Sequence, residues 1–320
     1  MEAKDGGVDS LFRMPHIAIL DLGTNTFNLL IAEKGKDGNP VFIYSKELPV
    51  ELGKGGIHKA YITPEATERA VNALHIHNKT IAEHNIKDVY AFATSAVRGA
   101  ENKKEFTDRI KKEAGIEIHI LSGEEEAQWI YEGVKHAAVL GDHVSVIMDI
   151  GGGSTEFIIA NNKEMLWKKS YQLGVTRLYE MFNRTDKLLE KQEEVEKHIT
   201  DLITDLIEAG KKYKPIELIG SSGSFESFAQ IFLTRVGSNI KPDNGYNFSM
   251  VEFNKLYGEL MESTLDERLQ IPGLIKMRAP MFAYSAILTK LVLTKLGIEK
   301  MRLSHYALKE GIAGHLLEKL

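Results

Sequence analysis

With 320 residues, 43% of them hydrophobic and 27% charged, the chain is long enough for two globular domains with substantial cores. Its formal net charge of −5 creates no bulk attraction for nucleic acid, so a polyanionic ligand must be met by metal ions and local Lys or Arg side chains. No apolar run is long enough for a membrane span, no signal-peptide layout opens the chain, and the lack of cysteine excludes disulfides and thiolate zinc sites, so a cytoplasmic protein is expected.

Residues 1–14 read as a loose leader. Ile17–Ile31 and Val41–Val50 predict three strands, the first ending at Asp21 and the second starting near Phe27. Leu52-Gly53-Lys54-Gly55-Gly56 is a flexible loop that lacks the spacing of a P-loop. Thr63-Pro64-Glu65 opens a helix expected to reach about His84, with a hydroxyl N-cap and Pro at the first position. His75 and His77 lie two apart on it, on different faces, and cannot share a metal. Val89–Ala93 reads as a short buried strand, after which comes Arg98. A guanidinium at that strand end either clamps phosphate oxygens or merely caps the next helix.

Ile116–Leu121 is a further strand, followed by Ser122-Gly123-Glu124-Glu125-Glu126-Ala127, a helix start with three acids in its first turn. Glu124 and Glu125 complement the helix dipole. Glu126 stands one turn before Ile130 on the apolar side, so it is the acid expected to face a cleft and act as general base on water.

Val146–Asp149 then delivers a carboxylate to a strand end, Gly151-Gly152-Gly153 turns the chain, and Ser154-Thr155 leads into a return strand. Asp21 to Ala32 aligns on Asp149 to Ala160 without a gap, repeating the Asp, the Gly, a hydroxyl residue and the final Ile-Ala. Two related lobes are therefore expected, each giving a phosphate-binding hairpin to a shared cleft. The first loop is Gly23, Thr24, Asn25 and Thr26. The second is Gly151, Gly152, Gly153, Ser154 and Thr155.

A third strand is expected at Met165–Gln172, with Lys168 and Lys169 on a solvated edge. Thr185–Gly210 reads as one long amphipathic helix. Ile216–Ile219 opens onto Gly220, Ser221, Ser222 and Gly223 before another helix, a further N–H-rich anion site. A polar loop at 236–246, helices near Val251–Met261 and Arg278–Leu296, a strand at Lys300–Leu303 and a closing helix at Tyr306–Leu317 complete the reading.

The stretches AILDLGTNTFNLLIAE (18–33), ATSAVRGAEN (93–102), LSGEEEA (121–127), VIMDIGGGSTEFII (146–159), IGSSGSFESFA (219–229) and LSHYALKEGI (303–312) resemble the exopolyphosphatase / guanosine pentaphosphate phosphohydrolase (Ppx/GppA) family. The resemblance implies an α/β, duplicated ribonuclease-H-like fold of the actin, Hsp70 and sugar-kinase superfamily, two lobes around a central cleft. The first lobe is expected at 15–135 plus the helix at 305–320, the second at 136–304. It implies Glu126 as the catalytic carboxylate, Arg98 directed at substrate phosphate, and Asp21, Asp149 and Glu156 serving Mg²⁺ or another divalent cation. Gln128 and Glu51 depart from the family's basic residues and remove positive charge. The chain resembles the short two-lobed members, and a homodimer is a family-level expectation. The implied reaction is metal-dependent hydrolysis of the terminal phosphoanhydride of inorganic polyphosphate. Guanosine pentaphosphate is the alternative substrate, and a sugar-kinase-like phosphotransferase or a non-catalytic nucleotide-binding protein the more distant alternatives.

Overall fold

The computed structural model describes residues 16–182 and 188–320; the expected leader lies outside them. Two five-stranded mixed sheets form the frame. The first holds β1 (His16–Leu22), β2 (Thr26–Lys34), β3 (Pro40–Pro49), β4 (Asp88–Ala93) and β5 (Ile118–Ile120), in the order β3-β2-β1-β4-β5. The second holds β6 (Ser145–Ile150), β7 (Thr155–Ala160), β8 (Met165–Tyr171), β9 (Glu217–Ser221) and β10 (Met301–Ser304), in the order β10-β9-β6-β7-β8. Read outward from β1 and β6, the two orders are the same: an antiparallel meander on one side and parallel strands on the other. The duplicated ribonuclease-H-like fold is thus present as two copies of one topology.

The repeat extends to single residues. Asp21 pairs with Asn28 across β1 and β2, and Asp149 pairs with Glu156 across β6 and β7. Both copies carry a register shift at the recurring Ile-Ala, Ile31/Ala32 against β3 and Ile159/Ala160 against β8. A bulge bends the strand and increases local twist, which gives that dipeptide a structural reason to recur.

The helices are α1 (Pro64–Glu83), α2 (Ser95–Arg98), α3 (Lys103–Ala114), α4 (Gly123–His136), α5 (Val175–Phe182), α6 (Gln192–Leu202), α7 (Thr204–Tyr213), α8 (Ser222–Arg235), α9 (Met250–Glu262), α10 (Leu265–Leu269), α11 (Ala279–Leu296) and α12 (Leu308–Lys319). Thr63 caps α1 through Ala66 N–H as its sequence predicts, and His77 points into the core with Nε2 3.1 Å from Phe27 O. The long helix expected at 185–210 is instead two helices, α6 and α7, broken at Ile203, after a 3₁₀ turn at Leu188–Lys191. Thr185 itself lies outside the described residues. The charged pattern of that stretch is continuous across the break, so periodicity alone does not reveal it. The start of β4, expected to be buried, is exposed at Asp88 and Val89, and only Ala91 and Ala93 of this strand are buried.

β1, β2, β6 and β7 are buried on two faces, which explains their near-continuous apolar runs. One core packs α1 and α3 on the outside of the first sheet, and another packs α5 to α9 and α11 on the outside of the second. A third core lies between the sheets, where Ile19 and Leu30 of the first meet Ile147 and Ile158 of the second through α4 and α12. α12 lies on β1, β2 and β3, and α4 on β7 and β8. Both helices therefore start at the cleft between the sheets, and both bring side chains to it.

Candidate active site

The cleft encloses about 660 Å³, and the two hairpin turns form its floor. Each turn closes with the same bond, Gly23 N–H to Thr26 O and Gly151 N–H to Ser154 O, at 3.0 Å in both. Their remaining carbonyls are drawn outward. Asn25 O accepts from the N–H groups of Val50 and Glu51, and Thr24 O from Gly53. In the second turn Gly151 O and Gly152 O accept from the N–H groups of Val175 and Thr176, while Gly153 O accepts from Arg177 Nε at 2.8 Å. A trans peptide sets each C=O opposite the following N–H. The N–H groups of Asn25 and Thr26, and of Gly152, Gly153 and Ser154, therefore turn away from those partners, toward the cleft that these residues line. Two concavities rich in N–H suit an anion.

Close approach requires two of the glycines. A Cβ on Gly174 would stand 2.2 Å from Gly152 O, where α5 begins against the loop. One on Gly153 would stand 2.6 Å from Ser95 Oγ and 2.7 Å from Thr24 Oγ1, because the two halves of the cleft floor meet there.

Four of the acids that line the cleft gather about the two hairpin turns. Glu126 is 7% exposed, Asp149 8% and Glu156 1%, while Asp21 is half-buried. Ser122 caps α4 in a capping box with Glu125, which fixes the first turn and leaves Glu126 directed inward. Burial pushes Glu126 up to about 7; Arg98 pulls it down and the charges of Asp21 and Asp149 push it further up. Burial raises Asp21 to about 6, with Lys309 opposing and Asp149 adding to the rise. Asp149 is raised by burial against a hydrogen bond from Ser221 Oγ at 2.8 Å. Glu156, which accepts from Ser170 Oγ at 2.6 Å, is raised well above the usual carboxylate range by burial and then by Glu126 and Asp149.

Buried oxygen donors that raise one another fit a hard divalent cation, whose charge would relieve their repulsion. Among the described residues, no three His, Cys, Asp or Glu side chains converge as a ready-made cage. Asp21, Asp149 and Glu156 supply oxygen donors of the kind a hard cation such as Mg²⁺ takes, without a closed cage.

Several expected site residues stand elsewhere. Arg98, at the end of the one-turn helix α2, does not line the cleft. Its Nη1 donates to Glu126 Oε2 at 2.7 Å and to Leu121 O at 3.1 Å, so it fixes the carboxylate from behind. Thr155 is fully buried and its hydroxyl donates to Leu173 O, away from any ligand. Gly220 is a packing residue, since a Cβ there would enter the ring of Phe225. Ser221 is buried beneath Asp149. Ser222 and Gly223 do line the cleft, Ser222 with φ +67° and its hydroxyl on Ile150 O at 3.2 Å. Lys168 and Lys169 do lie on an edge strand, β8, with Lys169 exposed as expected; Lys168 Nζ donates to Gln128 Oε1 at 3.1 Å, and Lys169 pairs with Asp205. Lys168 thus puts a charge beside Gln128.

Four residues that sequence reasoning left without a role belong to this cleft or its walls. Lys309 lines it from the first turn of α12, with Nζ 2.9 Å from Glu310 Oε1. Burial acts against its charge, but Glu310 and Asp21 more than offset this, and its pKa stands above that of an ordinary lysine. His305 has Nδ1 3.2 Å from Glu226 Oε1 and Nε2 2.7 Å from Pro242 O, and Glu226 raises its pKa. Arg278 bridges the sheets, from Gly223 O and Ser227 Oγ to Glu47 Oε1 at 3.3 Å. Arg177 ties Gly153 O to Ile57 O, the latter at 3.1 Å. Lys309 and His305 fall inside a quoted motif, LSHYALKEGI; Arg177 and Arg278 carry no local signal, since only the fold sets them opposite their partners.

A model described as the Ppx/GppA phosphatase family matches residues 30–320. Exopolyphosphatase 1 of Mycobacterium leprae is 25% identical over 309 residues, covering 95% of this chain and 89% of that one. The crystal structure of an exopolyphosphatase from Cytophaga hutchinsonii superimposes with a TM-score of 0.91 at 37% identity, covering 95% of this chain and 98% of the other. A Ppx/GppA family member from Aquifex aeolicus shares the fold, with a TM-score of 0.78 at 23% identity over 96% of this chain and 99% of that one. The repeated topology, the acid-lined cleft and a family match over most of its length give one conclusion: this chain belongs to the Ppx/GppA phosphatase family.

Proposed function

We propose that this protein is an exopolyphosphatase, which hydrolyses the terminal phosphoanhydride of inorganic polyphosphate and releases orthophosphate. The observation that carries the reading is Glu126. It is a buried carboxylate that Arg98 holds at the wall of a cleft floored by two N–H-lined loops. Such a cleft has donors for phosphoryl oxygens and one carboxylate placed for water, and the family resemblance supports a phosphoanhydride as the bond that breaks.

In this mechanism the two loops bind the oxygens of the terminal phosphate, and their fixed N–H dipoles stabilise the charge of the transition state. Glu126 orients the attacking water and accepts its proton. The new P–O bond forms from that water as the bridging P–O bond breaks, and the shortened polyphosphate leaves in line with the electron pair. Arg98 keeps Glu126 aimed and favours its ionised form against the effect of burial. Asp21, Asp149 and Glu156 would hold Mg²⁺, whose charge would help to neutralise the phosphate chain.

Among the described residues no helix is long and apolar enough to cross a membrane; a cytoplasmic enzyme acting on a soluble polyanion is the corresponding reading. Phosphate release with Mg²⁺, measured in parallel from tripolyphosphate, longer polyphosphate and guanosine pentaphosphate, tests the assignment. Release from polyphosphate is expected. Release from the nucleotide alone would transfer the assignment to a guanosine pentaphosphate phosphohydrolase and direct attention to Ser222 and Gly223. Silence on all three would remove it.

A further inference from the structure

The acids of the cleft need more positive charge than the hairpin loops provide, and the cations near it are mostly committed. Lys54 pairs with Glu51 at 2.7 Å and Arg278 with Glu47 at 3.3 Å, both toward the exposed rim. Arg98 faces Glu126 from behind. Lys309 differs in position. It enters from α12, whose packing on β1, β2 and β3 and against α4 fixes its first turn between the sheets. A Cβ on Gly311 would stand 2.0 Å from Trp129 O, so α12 and α4 approach with almost no space between their backbones. Glu310 completes the mounting: Oε2 accepts from Ala307 N–H at 2.9 Å while Oε1 meets Lys309 Nζ at 2.9 Å. The ammonium is thus held by one partner on its own helix, and its charge bears on Asp21 and on Asp149, the twin carboxylates of the two hairpins.

Resting on the phosphohydrolase reading above, we propose that Lys309 is a phosphate-binding residue of the cleft, its ammonium contacting an oxygen of the substrate's anionic phosphate chain. An ammonium has three donors and Glu310 takes one, which leaves donors for a phosphate oxygen. A charge-assisted bond to phosphate is favoured over its neutral counterpart, and the rigid mount lowers the ordering cost of a long side chain. Lys309 would then complement a metal: an ion held by the aspartates would neutralise them, and the lysine meets the phosphate oxygen directly.

The test compares wild type, Lys309→Met and Lys309→Arg with saturating Mg²⁺. Tripolyphosphate hydrolysis gives KM and kcat, calorimetry gives the affinity for orthophosphate, and thermal melting reports folding. The Met variant is expected to raise KM and weaken orthophosphate binding about 10- to 100-fold, the range of one charge-assisted bond, and the Arg variant to recover most of both. A folded Met variant with wild-type KM and orthophosphate affinity would overturn the proposal and leave Lys309 as a counter-ion of the aspartates. If the Met variant does not fold, the ammonium resonance of Lys309 is followed in wild-type protein during titration with orthophosphate and Mg²⁺. A saturable shift supports the contact, and an unmoved resonance overturns it. Failure of the phosphohydrolase reading is separable, because it appears as an inactive wild type.

Discussion

Arg98 Nη1 donates to Glu126 Oε2 at 2.7 Å, and the same nitrogen reaches Leu121 O at 3.1 Å. The arginine therefore anchors the proposed base to the strand end beneath it, and its charge opposes the effect of burial. A general base must be ionised, so kcat/KM should fall as pH falls through about 7, the value to which burial pushes Glu126. Arg98→Gln removes the lowering influence and should move this acid limb to higher pH. A pH profile of kcat/KM in both proteins checks it; an unmoved limb would detach Arg98 from the base.

The same buried acids make stability depend on pH. Asp21 rises from an ordinary 3.8 to about 6, and Glu126 from 4.5 to about 7. Between those limits the folded state binds more protons than the unfolded chain, so stability should decline as pH rises from about 4 to about 7. A divalent cation bound to the ionised acids should offset the decline. Melting scans with and without millimolar Mg²⁺ are expected to show a gain of several degrees at pH 8 and little gain at pH 5. An equal effect at both would mean that the ion binds elsewhere.

Arg177 holds Gly153 O and so helps to turn the next N–H toward the cleft. Arg177→Met should lower kcat about 10- to 100-fold by loosening that dipole, with a smaller change in KM. Steady-state kinetics on the folded variant, compared by circular dichroism with wild type, separates this from general damage.

Thr155 gives the opposite expectation. Its hydroxyl is spent on Leu173 O inside the second sheet. Thr155→Val should leave KM for polyphosphate unchanged and cost about 1–3 kcal/mol of stability, because a buried carbonyl loses its donor. Denaturant unfolding and a KM measurement together check it.

The duplication was legible because it repeats residues whose structural jobs repeat: the aspartate at the strand end, the glycine that closes the turn, the Ile-Ala at the bulge. Glu126 was legible from one helical turn of periodicity behind a helix start with three acids in its first turn. What the sequence left open depends on distance through space. Thr155 and Ser221 look like ligand donors next to glycines, and only the packing of Leu173 and Asp149 shows where their hydroxyls go. Arg177 and Arg278 act on backbone that is 24 and 55 residues away in sequence. The break falls at Ile203, which is fully buried between α6 and α7, and the charged periodicity of either helix does not encode it.

The central claim is that Glu126 is the group that activates water. The most direct measurement is single-turnover phosphate release from tripolyphosphate with Mg²⁺ in wild type and Glu126→Gln, with substrate affinity measured on the same samples. The account predicts a rate at least about 100-fold lower in the variant with affinity preserved, the usual cost of losing a general base. A variant that releases phosphate at the wild-type rate would contradict it.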